Sequence, residues 1–102
     1  MTQYRLSRLA VADLEGIWDY LAIARGNPDA AFKQLESLYS RFSLLAESQF
    51  LGEQRNDLRP GLRIFSVDQF VVFYYVIPDG IEVAGVLHGS RDIGGLFRRG
   101  ER

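Results

Sequence analysis

The run His88-Gly89-Ser90-Arg91-Asp92 gathers the chain's one histidine, a hydroxyl, a cation and a carboxylate within five residues. A histidine titrates near neutrality, so His88 can act as a general base. At the end of an apolar strand it can equally be a hydrogen-bonded structural residue. Asp92 can orient it, or pair with Arg63 across a sheet. Arg55, Arg59 and Arg63 recur at four-residue intervals, but in a loop that spacing defines no face. Their simplest use is in surface ion pairs with Glu53 and Asp57, each worth little. Arg98-Arg99 is a second basic pair. No nucleophile motif, phosphate-binding loop or metal-spaced histidine pair is present, and Gly94-Gly95 lacks the cation and helix of a phosphate loop. There is no cysteine, hence no disulfide framework and no thiolate zinc site. No metal and no cofactor are expected.

The bulk properties narrow the class. A length of 102 residues predicts a single domain, 1–102, with one modest core. Hydrophobic residues make up 47% and charged residues 25%, ordinary for a globular domain and unlike disorder. The formal charge is −1 and the pI about 5.8, which argues against sequence-blind nucleic-acid binding. Lys33 is the only lysine among 12 cations. Arginine suits bidentate pairing to carboxylates, though GC-rich codon usage gives the same bias. No apolar run approaches the roughly 18 residues of a membrane span. Residues 1–6 lack the apolar stretch of a signal peptide, and a cytoplasmic location is expected.

These side chains need elements to hold them. Tyr4-Arg5-Leu6 reads as a short strand and Ser7 as the cap of a first helix. That helix carries the stripe Ala10, Leu14, Ile17, Trp18, Leu21, with Asp13, Glu15 and Asp19 off it, and stops at Arg25-Gly26. Asn27-Pro28-Asp29 restarts the chain. A second helix runs to about Glu47 with the stripe Ala31, Phe32, Leu35, Leu38, Tyr39, Phe42, Leu45, Ala46. The short link makes the two an antiparallel hairpin, and Trp18, Phe32, Tyr39 and Phe42 are expected in the core. Residues 48–61 form a long polar connection ending in the turn Pro60-Gly61. Three β-rich runs follow: 62–67, 70–77 and 81–87. Asp68-Gln69 and Pro78-Asp79-Gly80 form the turns between them. The fold class predicted is two-layer α+β: strand, helix, helix, then a three-stranded antiparallel meander, with the hairpin on one sheet face. Val71, Phe73 and Tyr75 must point opposite to Val72, Tyr74 and Val76. Both sets are apolar, so the second face also needs cover, from a partner, from the tail or within the monomer. Residues 93–102 read as a short, weakly ordered tail.

A series of motifs in this order resembles the ParE branch of the RelE/ParE superfamily, toxins of type II toxin–antitoxin modules. It comprises Ala12-Asp13-Leu14 with Ile17-Trp18-Asp19-Tyr20, then Gly52, Arg55, Asp57-Leu58-Arg59-Pro60-Gly61-Leu62-Arg63, then Phe73-Tyr74, then Val86-Leu87-His88-Gly89-Ser90-Arg91-Asp92. The resemblance covers about residues 3–97, and the family's fold has the same order of elements. Two departures stand out. The family usually has a proline near Phe50 and often an arginine at the position of Gly85.

The resemblance implies a protein that acts by binding. ParE-like toxins poison DNA gyrase without a hydrolytic centre and are neutralised by a ParD-like antitoxin whose C-terminal segment wraps the toxin. RelE-like relatives instead cut messenger RNA on the ribosome. Of their catalytic set, the strand arginine falls at Val71, the late arginine at Arg91, and the terminal tyrosine near Phe97; the loop lysines are absent. The alternatives are therefore a RelE-like ribosome-dependent endoribonuclease, with His88 as a substitute base, and a non-toxic binding module of the same fold. Candidate contacts to antitoxin or target are Arg59, Arg63, His88, Arg91, Arg98 and Arg99. Gly61, Gly89 and Asp92 complete the structural motif, with Arg91 and Asp92 tying the tail to the sheet. Neither a membrane nor direct nucleic-acid contact is expected.

Overall fold

The computed structural model describes residues 2–102. Its elements are β1 (Gln3–Leu6), α1 (Arg8–Trp18), a π-helical turn (Asp19–Ala24), α2 (Pro28–Glu47), β2 (Glu53–Gln54), β3 (Leu62–Val67), β4 (Phe70–Ile77), β5 (Gly80–His88) and α3 (Ile93–Arg98). They build one five-stranded sheet in the order β1-β5-β4-β3-β2. The meander β3-β4-β5 is antiparallel, and β1 joins β5 in parallel, Gln3 opposite Gly80 and Leu6 opposite Val83. The α+β class and the meander follow the sequence pattern. The structure adds two elements: a two-residue edge strand, β2, paired to β3, and a third helix.

The helix starts are local. Ser7 Oγ accepts from the Ala10 amide at 3.1 Å, and Asn27 Oδ1 accepts from Ala30 at 3.1 Å with Pro28 as the first helical residue. Helix α1 does not run on as a regular helix to Arg25. It widens after Trp18, where the Arg25 amide donates to Tyr20 O at 2.9 Å, five residues back. The hairpin turn β4–β5 needs its glycine: Gly80 has φ +154°, and a Cβ there would lie 1.6 Å from the Gln3 carbonyl oxygen.

Alternation along β4 divides the core in two. Val72 and Tyr74 face α1 and α2, packing with Leu14, Leu38, Phe42 and Leu45. Phe73 faces the other way, onto Leu62, Leu87 and Leu96. That second face is covered by the tail. Residues 93–98 are helical, and Leu96 is buried with Phe97 packed beside it, so the expectation of a weakly ordered tail is corrected. Ile93, Leu96 and Phe97, set over an apolar sheet face, supply the cover its composition demands. The aromatics of the helix pair do not all enter the core. Phe42 is fully buried, but Phe32 is 63% exposed and Tyr39 is also exposed. Among the described residues, no helix is long and apolar enough to cross a membrane.

Candidate functional site

His88 closes β5 and is exposed. Its Nδ1 lies 2.7 Å from Ser90 Oγ and accepts from the Ser90 amide at 3.1 Å. That contact places the neutral ring's proton on Nε2, and the ring stands edge-on to Phe70 at 5.6 Å. His88 is thus tied into its own turn. The Gly89 amide donates to Gln69 O at 2.8 Å, and the Arg91 amide to His88 O at 3.1 Å, which fixes the exit from the strand.

Asp92 neither orients His88 nor reaches Arg63. Its carboxylate caps α3 through the Gly95 amide at 3.1 Å and lies 3.9 Å from Arg99. The Arg91 side chain is exposed and makes no hydrogen bond or ion pair with the described residues, so it does not tie the tail. Asp92 does so by capping, and Arg102 does so at the other end. Arg63 donates to the carbonyls of Phe50 (3.1 Å) and Gly52 (2.6 Å), with its guanidinium 5.1 Å from the Phe50 ring. Arg59 sits 5.3 Å over the Phe97 ring and donates to the Arg102 carbonyl. Only Arg55 makes the expected surface pair, two parallel bonds to Asp57 at 2.9 and 3.0 Å. The bond from Arg55 holds the Asp57 carboxyl below its usual range, and the same bond raises Arg55. Arg98 and Arg99 are exposed on α3 and its cap, with Arg99 paired to Glu101. Gly61 has φ +82° and its amide donates to Asn56 Oδ1 at 2.8 Å.

The candidates therefore do not form one cluster. Arg59, Arg98 and Arg99 belong to the α3 side. Arg63 braces the loop after α2. His88 and Arg91 stand at the end of the sheet where β5 meets Phe70, opposite residues four positions away from the Arg63–Tyr74 pair along β4.

Two features escape a reading by residue type. The first is an apolar groove across the helices. Leu6, Val11, Leu14, Trp18, Leu35 and Tyr39 line a cavity of about 350 Å³, and Leu35 and Tyr39 continue into a second depression with Phe32 and Tyr4. Tyr4, set edge-on to Phe42, has its phenol pKa raised by burial and, less, by Tyr39. Phe32 and Tyr39 were in the apolar stripe of α2, but expected in the core rather than at a surface groove. The second is Asp13. It accepts the Val86 amide at 2.9 Å and a bidentate pair from Arg102, with both charged side chains largely buried. Beyond Val83 this edge of β5 has no strand partner among the described residues, and Ser7 Oγ (to Ala84 O, 3.0 Å) and Asp13 cap it.

The sequence profile described as "ParE toxin of type II toxin-antitoxin system, parDE" matches residues 4–93. This chain belongs to the ParE toxin family. Toxin ParE1 of Caulobacter vibrioides is 37% identical over 90 residues, covering 88% of this chain and 92% of that protein. Toxin ParE1 of Mycobacterium tuberculosis is 34% identical over 93 residues, covering 90% and 94%. A chain of the solved structure described as "Chromosomal ParDE TA system from P. aeruginosa" superposes with a TM-score of 0.71 at 23% identity, covering 86% of this chain and 96% of that one. The two-layer RelE/ParE-like fold expected from the sequence is thus shared.

Gly85 lies beside the Asp13–Arg102 pair. A Cβ there would lie 2.9 Å from Arg102 Nη1 and 3.1 Å from Asp13 Oδ2. The glycine leaves room for a guanidinium that arrives from Arg102 rather than from the strand. At Val71 and Phe97 this ParE-family chain places apolar side chains beside the second-face core.

Proposed function

We propose that this toxin acts by binding: it poisons DNA gyrase in the cytoplasm and is neutralised by a ParD-like antitoxin that occupies the groove across α1 and α2. The observation that carries this is the unfilled apolar groove lined by Val11, Trp18, Leu35 and Tyr39, with Phe32 63% exposed beside it. Apolar side chains held at helical spacing on a rigid surface fit an amphipathic helix laid across them. The solved relative being a ParDE system supports an antitoxin as the partner. A non-enzymatic action is supported by the chemistry of the positions that a RelE-like nuclease would use. Val71 and Phe97 carry no charge or hydroxyl, and His88 spends Nδ1 on its own turn.

Arg59, Arg63, His88, Arg91, Arg98 and Arg99 remain the proposed contacts, now in separate groups. The antitoxin groove lies on the helical layer, while Arg98 and Arg99 sit across the sheet. Inhibitor and target can therefore use different faces. Induction of the toxin with and without the neighbouring small gene tests the proposal. Growth arrest relieved by the neighbour, co-purification of the two products and an SOS response are expected. Codon-linked cuts in messages would point instead to the ribosome-dependent endoribonuclease, and unimpaired growth to a non-toxic binding module.

A further inference from the structure

The ten residues after Asp92 are built with more care than a tail requires. Asp92 caps α3 at one end. At the other, the Gly100 amide donates to Phe97 O at 3.1 Å and the Glu101 amide to Leu96 O at 2.9 Å, with Gly100 at φ +71°. This is a Schellman stop, which reverses the chain after the helix. The reversal delivers Arg102 to Asp13, a residue 89 positions away, in the slot that Gly85 leaves open. Between the two ends, Leu96 and Phe97 lie on Leu62, Phe73 and Leu87.

We propose that Asp13 and Arg102 form a charge latch that fastens residues 93–102 as a strap over the second sheet face, and that the strap opens as a unit separate from the rest of the fold. Asp13 is then a positioning residue. Through Arg102 it fixes the carbonyl that holds Arg59, and with it the helix that presents Arg98 and Arg99. A six-residue helix with one buried and two part-buried apolar side chains has too little core of its own to stay closed unaided. A bidentate pair with both partners largely buried is strongly coupled, because losing either ion leaves the other desolvated and unpaired. Asp13 is also anchored to β5 through the Val86 amide, so the latch closes onto the sheet. Release would uncover Leu62, Phe73 and Leu87 and free Arg59.

Hydrogen exchange on the whole chain tests this, comparing the unsubstituted protein with Arg102→Met and Gly85→Ala. The first removes the charge but keeps an apolar stem. The second keeps both charges and sets a methyl group 2.9 Å from Arg102 Nη1 and 3.1 Å from Asp13 Oδ2, so the pair must shift to keep its contact. In both, the amides of Leu96, Arg99, Gly100 and Glu101 should exchange at least about tenfold faster, while those of β4 keep their rates. Unchanged protection of the strap in both variants would overturn the latch. A proportional acceleration across the whole chain would also overturn it, because the pair would then support the entire fold rather than one strap.

Discussion

Removing a single oxygen from the core should loosen the loop that Arg63 braces. Tyr74 is fully buried in the centre of β4. Its hydroxyl accepts from the Gly52 amide at 2.8 Å and donates to Gln49 O at 2.9 Å. Gly52 is a glycine because a Cβ there would lie 2.5 Å from that hydroxyl. Tyr74→Phe keeps the ring and its packing, so only the polar terms change. It strands a buried amide and deprives the Gln49 carbonyl of its donor. A buried group left unpaired costs roughly 1–3 kcal/mol, and the half-buried Gln49 carbonyl recovers part of its loss from water, so a total of about 2 kcal/mol is expected. For a chain of this size that lowers Tm by roughly 8–16 °C. The sign of the pH dependence follows from the phenol. Burial raises the Tyr74 pKa, so the neutral form is favoured in the folded state. The stability it contributes is fully present below the unfolded tyrosine value near ~10 and is lost as pH rises through the higher folded value. The gap between the two proteins should therefore narrow in strong alkali. Urea and thermal unfolding followed by circular dichroism measure both effects. A loss under about 0.5 kcal/mol at neutral pH would refute the reasoning, because the two bonds would then add nothing beyond packing.

Three further outcomes are open to the same methods. Ser7→Ala should cost about 1–2 kcal/mol in urea unfolding, since Ser7 both caps α1 and donates to the bulged β5 edge at Ala84. Gly80→Ala should prevent folding, read as loss of the cooperative thermal transition, because its methyl group would collide with the Gln3 carbonyl that β1 pairs through. Phe32→Ser should leave stability within about 0.5 kcal/mol, given its exposure, yet weaken antitoxin capture by at least about tenfold in a titration.

Local signals were legible in the sequence. Period-2 alternation from Val71 to Val76 divided the sheet faces correctly, because each side chain's face is fixed by the strand itself. Ser7 and Asn27 marked the helix starts, because capping acts over three residues. Signals that depend on distant partners were not legible. The two residues of β2 are too few to show a pattern. Gly94-Gly95 argues against a helix, and α3 forms because an Asp92 cap, a Schellman stop and an apolar sheet face outweigh that propensity. Asp13 looked like one more polar residue off the apolar stripe, and its ion pair with Arg102 spans almost the whole chain. The arginines drew attention by spacing, but Arg59 and Arg63 turned to carbonyls and aromatic rings rather than to Glu53 and Asp57.

Whether the protein works by occupying a partner or by breaking bonds is decided most directly with purified components. Toxin is mixed with DNA gyrase and supercoiled plasmid, the reaction is stopped with detergent and protease, and linear DNA is quantified. Action by binding predicts linear DNA that rises with toxin concentration and is suppressed by a stoichiometric amount of ParD-like antitoxin. No linear DNA from any amount of toxin, alongside cleavage of messages on translating ribosomes that is lost in a His88→Ala variant, would contradict it.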